Sequence, residues 1–265
     1  TEGDLTWSDN GDGTVTITDY TGTAKDIIIP DTLDGKSVTV IGDVAFYDNQ
    51  LTSVTIPDSV TTIGNAAFEN NLLTSVTIPD SVTSIGRGAF ADNLLTSVVI
   101  PSSVTTIGDY AFYNNGLTSV TIPDSVTSIG DHVFRNNQLT SVVIPSSVTT
   151  IGYAAFAHNQ LTDVTIKNAN ATIGAYAFVN NQENPSNLTI YGHDPSTAKD
   201  HANQNRYTFV VLTTNDDDGS GDESGNGDES GNGDKSDDGS QDSDPAIITL
   251  PAGFHKYKKT VYISL

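Results

Sequence analysis

The residues of this chain best suited to metal or acid–base chemistry are its histidines and the acids beside them. Two histidines of the C-terminal cap have an acidic neighbour, in His193-Asp194 and Asp200-His201, and together these pairs could supply metal ligands. An ordinary protein surface explains the same four residues without a metal. The chain has no Cys and no G-x-S-x-G sequence, so it lacks a thiol nucleophile and the nucleophile turn of hydrolases. We therefore predict that the protein is not an enzyme.

A second candidate for chemistry is the acidic, low-complexity segment 213–245. It repeats the hexad D-x-S-x-N-G, with D-x-S-x-D-G in the third copy. Oxygen-bearing side chains at alternate positions before a Gly are typical of the first half of a calcium loop, but the acid that completes such a loop is absent. We expect at most weak calcium binding, and a flexible linker is the alternative, because the segment has almost no apolar side chains to bury. The predicted calcium ligands are Asp222, Asp228, Asp234 and Asp238.

Most of the chain is a 22-residue repeat, which must position any functional side chain. The unit LTSVTIPDSVTTIGNAAFENNL begins at Leu51 and begins again at residues 73, 95, 117, 139 and 161. A fixed period of this length indicates a solenoid of stacked coils. We predict that 51–56 forms the main strand, ended by the Pro at position 7, and that 60–63 forms a lesser strand on another face. The Gly at position 14, Gly64 in the first coil, predicts a corner with unusual backbone angles.

Asn occupies position 21 of every coil. The members of this column are Asn71, Asn93, Asn115, Asn137, Asn159 and Asn181. A buried Asn at the same place in each coil would bond the backbone of the neighbouring turn. The alternative is that Asn is there only because it tolerates a left-handed turn.

Two variable columns of the repeat predict where a ligand could bind. Positions 16 and 19 carry Tyr110 and Tyr113 in one coil and His132 and Arg135 in the next. Because equivalent positions stack in a solenoid, these four side chains should form one aromatic and basic patch. Such residue types are favoured at the centres of binding interfaces. Ordinary variation at exposed sites is the alternative.

The pattern LTSVTIPDSVTTIGxxAFxNN resembles the BspA-like leucine-rich repeat of bacterial surface proteins. The resemblance extends over residues 1 to about 212, although many members of that family have Cys where this chain has Asn at position 21. It implies a right-handed, mainly β leucine-rich solenoid. It also implies a non-catalytic, extracellular role in adhesion, with a protein or glycan as the partner.

Departures from the repeat divide the chain into five segments. Residues 1–23 predict an N-terminal β-hairpin cap, and 24–182 the leucine-rich repeat solenoid. Residues 183–212 predict a C-terminal α/β cap, with a short helix over 196–205 between two strands. The acidic linker 213–245 and a β-tail over 246–265 complete the chain.

The β-tail suggests a second function. It is either the beginning of a further domain or a strand that pairs with the open edge of another copy. In the second case Val261, Ile263 and Leu265 would dock on the neighbouring subunit. The alternative function is therefore a structural subunit of an extracellular fibre or matrix, assisted by calcium.

Charge and composition exclude several classes of partner. The net charge is −22, which argues against binding to nucleic acid or to an anionic membrane surface. No apolar run approaches the length needed to cross a membrane. The chain has no Met, and removal of a secretory signal would account for this, as would a chain boundary chosen for expression. We expect a secreted or cell-surface protein whose exposed positions are mostly Thr, Ser and Asn.

Overall fold

The structure is a computed structural model, and it describes residues 2–212. The predicted calcium ligands, the linker that carries them and the tail with Val261, Ile263 and Leu265 lie outside the described residues. In chain order the strands are β1 (Leu5–Asp9), β2 (Thr14–Tyr20), β3 (Asp26–Ile28), β4 (Thr32–Leu33), β5 (Lys36–Ile41), β6 (Ser53–Thr55), β7 (Thr62–Ile63), β8 (Ser84–Ile85), β9 (Thr106–Ile107), β10 (Ser128–Ile129), β11 (Ser141–Ile144), β12 (Thr150–Ile151), β13 (Asp163–Ile166), β14 (Thr172–Ile173), β15 (Thr189–Gly192) and β16 (Thr208–Val211). The helix α1 spans Thr197–Asn205, and short 3-10 turns span Glu2–Asp4 and Pro185–Asn187.

Each 22-residue unit forms one coil, and the coils stack through a long parallel sheet. This sheet runs in the order β1-β2-β5-β7-β8-β9-β10-β12-β14, with β4 paired to β5. Equivalent isoleucines are direct partners along it, from Ile41 and Ile63 at one end to Ile151 and Ile173 at the other. The prediction of a mainly β, leucine-rich solenoid with coils of 22 residues is confirmed.

The prediction of the main strand is wrong. The continuous sheet passes through positions 12 and 13 of the coil, where β7 lies, and not through 51–56. The segments equivalent to 51–56 form paired strands only near the two ends of the stack, in the sheets β3-β6 and β11-β13-β15-β16. Between those ends an isolated bridge joins Val99 to Thr121. The Pro at position 7 contributes to the difference, because it removes a backbone donor immediately after this short strand.

The core of the solenoid is a stack of phenylalanine rings. Phe46 and its equivalents at residues 68, 90, 112, 134, 156 and 178 are fully buried. Neighbouring ring centroids are 5.1–5.7 Å apart, and the ring planes are within 20° of parallel. Since one coil alone would leave its ring exposed, burial depends on contact between successive coils.

The Asn column forms the predicted ladder. In every coil the Asn Oδ1 accepts from the N–H of the Leu at position 1, at 2.9–3.1 Å. Its Nδ2 donates to the carbonyl of the Phe in the preceding coil, at 2.8–3.0 Å. The prediction that Asn bonds the backbone of the neighbouring turn is confirmed.

The predicted reason for Gly at position 14 is wrong. These glycines do not have positive φ, and close packing between coils requires them instead. A Cβ on Gly86 would lie 2.5 Å from the carbonyl carbon of Gly64 in the preceding coil. The left-handed backbone occurs two residues later, at position 16, where Tyr110 has φ 61° and His132 has φ 58°.

Both ends of the stack are covered. At the first end β1 and β2 form an antiparallel hairpin, and β2 continues in parallel into β5. Trp7 of the hairpin is partly buried against the core, and Lys36 pairs with Asp9. At the other end α1 begins after Ser196, whose Oγ accepts from the N–H of Lys199 at 3.1 Å. This is the N-cap arrangement expected for Ser.

Candidate ligand-binding surface

The variable side chains are presented by a tight turn that follows each strand of the long sheet. The turn is held by the neighbouring coil, because the N–H of Tyr110 donates to Asp131 O and that of His132 donates to Tyr153 O, both at 2.9 Å. Every backbone turn of this kind has the same shape, so side chains at equivalent positions lie one above another. Position 16 therefore projects a row of side chains along one edge of the solenoid.

The structure brings the four predicted patch residues together. The rings of Tyr110 and His132 are stacked, with centroids 4.6 Å apart and planes 25° apart. Tyr113 meets Tyr110 edge-on at 5.6 Å. Arg135 Nη1 is 3.3 Å from His132 Nδ1. Their juxtaposition was predictable from the period, and their role in binding stays a prediction.

Three further residues extend this row, and the sequence analysis did not select them. The guanidinium of Arg87 lies 5.4 Å from the centroid of the Tyr110 ring, within the range of a cation–π contact. Tyr153 meets His132 edge-on at 5.2 Å, and Tyr176 meets Tyr153 edge-on at 5.6 Å. We name the whole row the aromatic ridge: Arg87, Tyr110, Tyr113, His132, Arg135, Tyr153 and Tyr176. Tyr153 is at position 15 of its coil, where the earlier coils have Asn, Arg or Asp. This change of residue type is the signal by which the sequence could have identified it.

His132 is the buried member of the ridge, with 9% of its surface exposed. Burial lowers the pKa of His132 below its usual value, the positive charge of Arg135 adds to this effect, and Asp131 and Asp109 oppose it. A guanidinium only donates hydrogen bonds, so the Nδ1 of His132 accepts from Arg135. The geometry and the lowered pKa thus agree on a neutral imidazole with its hydrogen on Nε2.

The ridge is interrupted by an open hollow of about 270 Å³ between His132 and Tyr176. In this coil positions 16 and 19 are both alanine, Ala154 and Ala157, and both are buried. The coils on either side carry large side chains at the same positions, so the loss of two side chains in one coil opens the space. We name this hollow the notch, and its lining residues are Arg135, Tyr153, Ala154, Ala157, His158, Tyr176, Val179 and Asn180.

The histidines and acids of the C-terminal cap do not form a metal site. Asp194 pairs with Lys199 at 2.7 Å. His201 is buried, with its ring edge-on to Phe178 at 5.8 Å, and its Nε2 has no hydrogen-bond partner within the described part of the chain. Within residues 2–212 no group of three or more His, Cys, Asp or Glu side chains could hold a metal ion. His201 instead helps to close the end of the phenylalanine stack.

Comparison with known proteins decides the family. The profile of the BspA type leucine-rich repeat region matches six copies in the chain, over residues 20–138 and 61–185. The chain belongs to the BspA-type leucine-rich repeat family. Repeat proteins of this family are typically non-catalytic. Among the described residues of this BspA-type chain, no helix is long and apolar enough to span a membrane.

Several solved structures are similar to this BspA-type protein. A leucine-rich cell surface protein from Faecalibacterium prausnitzii is 28% identical, with a TM-score of 0.48, over 72% of this chain and 75% of that one. The leucine-rich repeat protein of T. pallidum is 21% identical, with a TM-score of 0.45, over 59% and 86%. A leucine-rich repeat protein from Bacteroides ovatus is 21% identical, with a TM-score of 0.37, over 71% and 70%. A search of curated proteins found no match.

Proposed function

We propose that this protein is a non-catalytic, extracellular binding module at a bacterial surface, and that the aromatic ridge holds its protein or glycan ligand. The observation that carries the proposal is the contrast between the ridge and the rest of the coil. Core positions repeat the same Leu, Val, Ile, Phe and Asn, whereas positions 15, 16 and 19 change from coil to coil. The repeated residues build the scaffold, so the variable ones are free to determine what is bound.

The composition of the ridge supports this proposal. Tyrosine and arginine provide large contact areas with a polar end, and they are enriched at binding hot spots. The exposed fractions of Tyr153 and Tyr176 are 43% and 56%. Two basic side chains, Arg87 and Arg135, lie in the same row, although the whole chain has a net charge of −22. The ridge is therefore aromatic and basic, whereas the protein as a whole is acidic.

The location is proposed from the family and the composition. The BspA-type repeat is a family of bacterial surface proteins. The chain has no Cys, so it has no thiol that would need protection from oxidation outside the cell. Its exposed repeat positions are mostly Thr, Ser and Asn, which also suits an extracellular protein.

A binding assay with matched tyrosine variants tests the proposal. The full chain would be applied to an array of immobilised glycans and extracellular-matrix proteins. Tyr110→Ala and Tyr176→Ala should weaken binding to the recognised ligand about tenfold or more, since each removes a ridge anchor. Tyr47→Ala is the control, because Tyr47 is also exposed, at 46%, and stands at position 19 of an earlier coil. Equal binding by all three variants and the unaltered chain would refute the role of the ridge.

A second candidate function is assembly into a fibre or matrix. The observation that favours it is that, among the described residues, β16 is the edge strand of the four-stranded sheet, and an edge strand can pair with a strand from another copy. The proposed docking residues are Val261, Ile263 and Leu265, with calcium bound by the acidic linker. Light scattering of the full chain should then increase with calcium and decrease with a chelator. Replacing the three docking residues by Asp should abolish the increase, and unchanged scattering would exclude tail docking.

A further inference from the structure

The notch is lined by two tyrosine side chains that are partly exposed to solvent, Tyr153 and Tyr176. The rings of Tyr153 and Tyr176 are nearly perpendicular, at 83°, with centroids 5.6 Å apart. Beneath them Ala154 and Ala157 form a floor without polar atoms in their side chains. Small-molecule sites commonly combine such an apolar lining with a few polar groups. The notch can therefore accept one ring-shaped unit with an apolar face.

The charge of the notch favours an anionic unit. Arg135 lines it, and none of the described residues that line it is an Asp or a Glu. Within the described residues the guanidinium makes a side-chain hydrogen bond to His132, and its Nε is buried without a partner. Arginine is the residue best suited to bind a carboxylate, through two parallel hydrogen bonds. A carboxylate is thus the group that the notch is best able to attract.

The rim of the notch offers hydrogen-bonding groups. His158 and Asn180 stand at position 20 of successive coils, and Asn180 Nδ2 is 3.3 Å from His158 Nε2. An imidazole and a carboxamide both donate and accept hydrogen bonds. Hydroxyl groups on the ligand would therefore find partners at this rim.

The backbone N–H groups on the floor of the notch are already engaged, which argues against an extended peptide that pairs with this coil. The N–H of Ala154 donates to Ala175 O at 3.0 Å, that of Ala157 to Ala154 O at 3.1 Å, and that of His158 to Val179 O at 2.9 Å. A peptide that adds to a sheet needs free backbone groups on its partner. At about 270 Å³ the hollow is also smaller than the usual range for drug-sized ligands, so it suits a single ring.

We propose that the notch binds one carboxylated sugar residue, of the hexuronic-acid or sialic-acid class, within a larger glycan. The apolar face of the sugar ring lies on Tyr176, the more exposed of the two rings, the carboxylate pairs with Arg135, and the hydroxyls bond His158 and Asn180. This inference rests on the proposed function and narrows the ligand to one chemical class.

A variant that refills the notch tests its occupancy. Ala154→Tyr restores a ring at position 16, where the fold already accepts Tyr110 and Tyr176 with the same positive φ. The control is Ala66→Tyr, the same substitution at the same position of a coil outside the ridge, where φ is 51°. Sodium glucuronate and N-acetylneuraminate would be titrated separately onto the full chain by saturation-transfer NMR, with glucose as the neutral comparison.

The expected result is saturable, millimolar binding of at least one of the two acids, as is usual for a single small ring in an open site. Ala154→Tyr should abolish it, and Ala66→Tyr should leave it unchanged. Arg135→Gln should weaken it about tenfold, whereas Arg206→Gln, in the C-terminal cap outside the ridge, should not. The proposal is overturned if neither acid binds, if glucose binds equally well, or if binding survives in Ala154→Tyr. Circular dichroism of each variant establishes that it is folded.

The array described above separates this inference from the proposed function. If Tyr110→Ala reduces binding to a protein or a neutral glycan while neither acid binds, the ridge is a binding surface and the sugar-acid class is wrong. If no ligand depends on the ridge, both are wrong. Binding of one acid but not the other identifies which class of carboxylated sugar the notch accepts.

Discussion

The rings of Tyr110 and His132 lie 4.6 Å apart, centroid to centroid, although 22 residues separate them in the chain. Their backbones are both left-handed, and Tyr110 donates its N–H to the coil that carries His132. The same backbone hydrogen bond from position 16 to the next coil recurs along the stack. The scaffold therefore determines the positions of the ridge residues before any ligand binds. A preorganised surface loses less conformational entropy when it binds.

The stability of the protein should depend on pH through His132. Because burial lowers its pKa in the folded state, the unfolded chain binds a proton more readily as the pH falls through about 6.5. The free energy of unfolding should therefore decrease below this pH, by at most about 1.4 kcal/mol per pH unit for this group. In His132→Tyr, which copies the neighbouring coil, the decrease should be smaller. Urea unfolding between pH 5 and pH 7.5, roughly the range in which histidine titrates, measures it, and an unchanged slope would contradict the assignment.

Removing one rung of the Asn ladder should be costly. Asn137→Ala deletes the acceptor of the Leu117 N–H at 3.0 Å and the donor to Phe112 O at 2.9 Å. The Leu117 N–H loses its partner and Phe112 O keeps only a longer bond from Asn115 Nδ2, at 3.4 Å, so we expect a loss of about 1–4 kcal/mol in the free energy of unfolding. Gln138→Ala removes the exposed amide next to it and should change the same quantity by less than about 0.5 kcal/mol. Similar urea midpoints for the two variants would show that the ladder does not stabilise the fold.

Two glycines of one coil should respond oppositely to alanine. A Cβ on Gly108 would lie 2.5 Å from the backbone N of Arg87, whereas a Cβ on Gly116 would meet nothing nearer than 3.4 Å. Gly108→Ala should force the coils apart and destabilise by about 1–3 kcal/mol or more. Gly116→Ala should be neutral or stabilise by up to about 1 kcal/mol, because it restricts the unfolded chain. Thermal unfolding of both variants checks this, and equal melting temperatures would rule out the close-packing explanation.

The hydroxyl of Tyr191 should resist ionisation. Burial raises the pKa of Tyr191 to about 12, and the charge of Asp163, which accepts its hydrogen bond at 3.1 Å, adds to the effect. Asp163→Asn should lower this pKa towards the ordinary value near 10. Ultraviolet absorbance during an alkaline titration, with Tyr191→Phe to identify the signal, measures the change. An unaltered titration in Asp163→Asn would show that the carboxylate does not contribute.

The period predicted the fold because a residue that recurs every 22 positions must meet its equivalents. The Phe68 and Phe90 stack and the Asn71 ladder follow directly from that rule. What the period does not distinguish is which of two apolar stretches forms the continuous sheet. Both 51–56 and 60–63 have β-branched apolar residues, and the difference depends on the pairing between coils.

The remaining errors share this cause. Gly64 was assigned to an unusual backbone angle, but its real constraint is a neighbour in another coil, which the linear sequence does not display. Tyr153 was missed because it belongs to position 15, whose other members are Asn, Arg, Asp and Ala and include no aromatic residue. Its side chain meets His132 and Tyr176 from an adjacent column. The notch likewise depends on two small residues, Ala154 and Ala157. An alanine has no functional group that would mark a binding site in the sequence.

The hydrogen bonds of each coil go to its neighbours at a spacing of 22 residues, so every coil is complementary to copies of itself. Duplication or loss of one whole unit would leave no donor or acceptor without a counterpart and would change the molecule's length by only about 4.8 Å. Internal duplication is therefore a structurally tolerated route by which the distance between two recognition points on the edge can be adjusted in fixed increments.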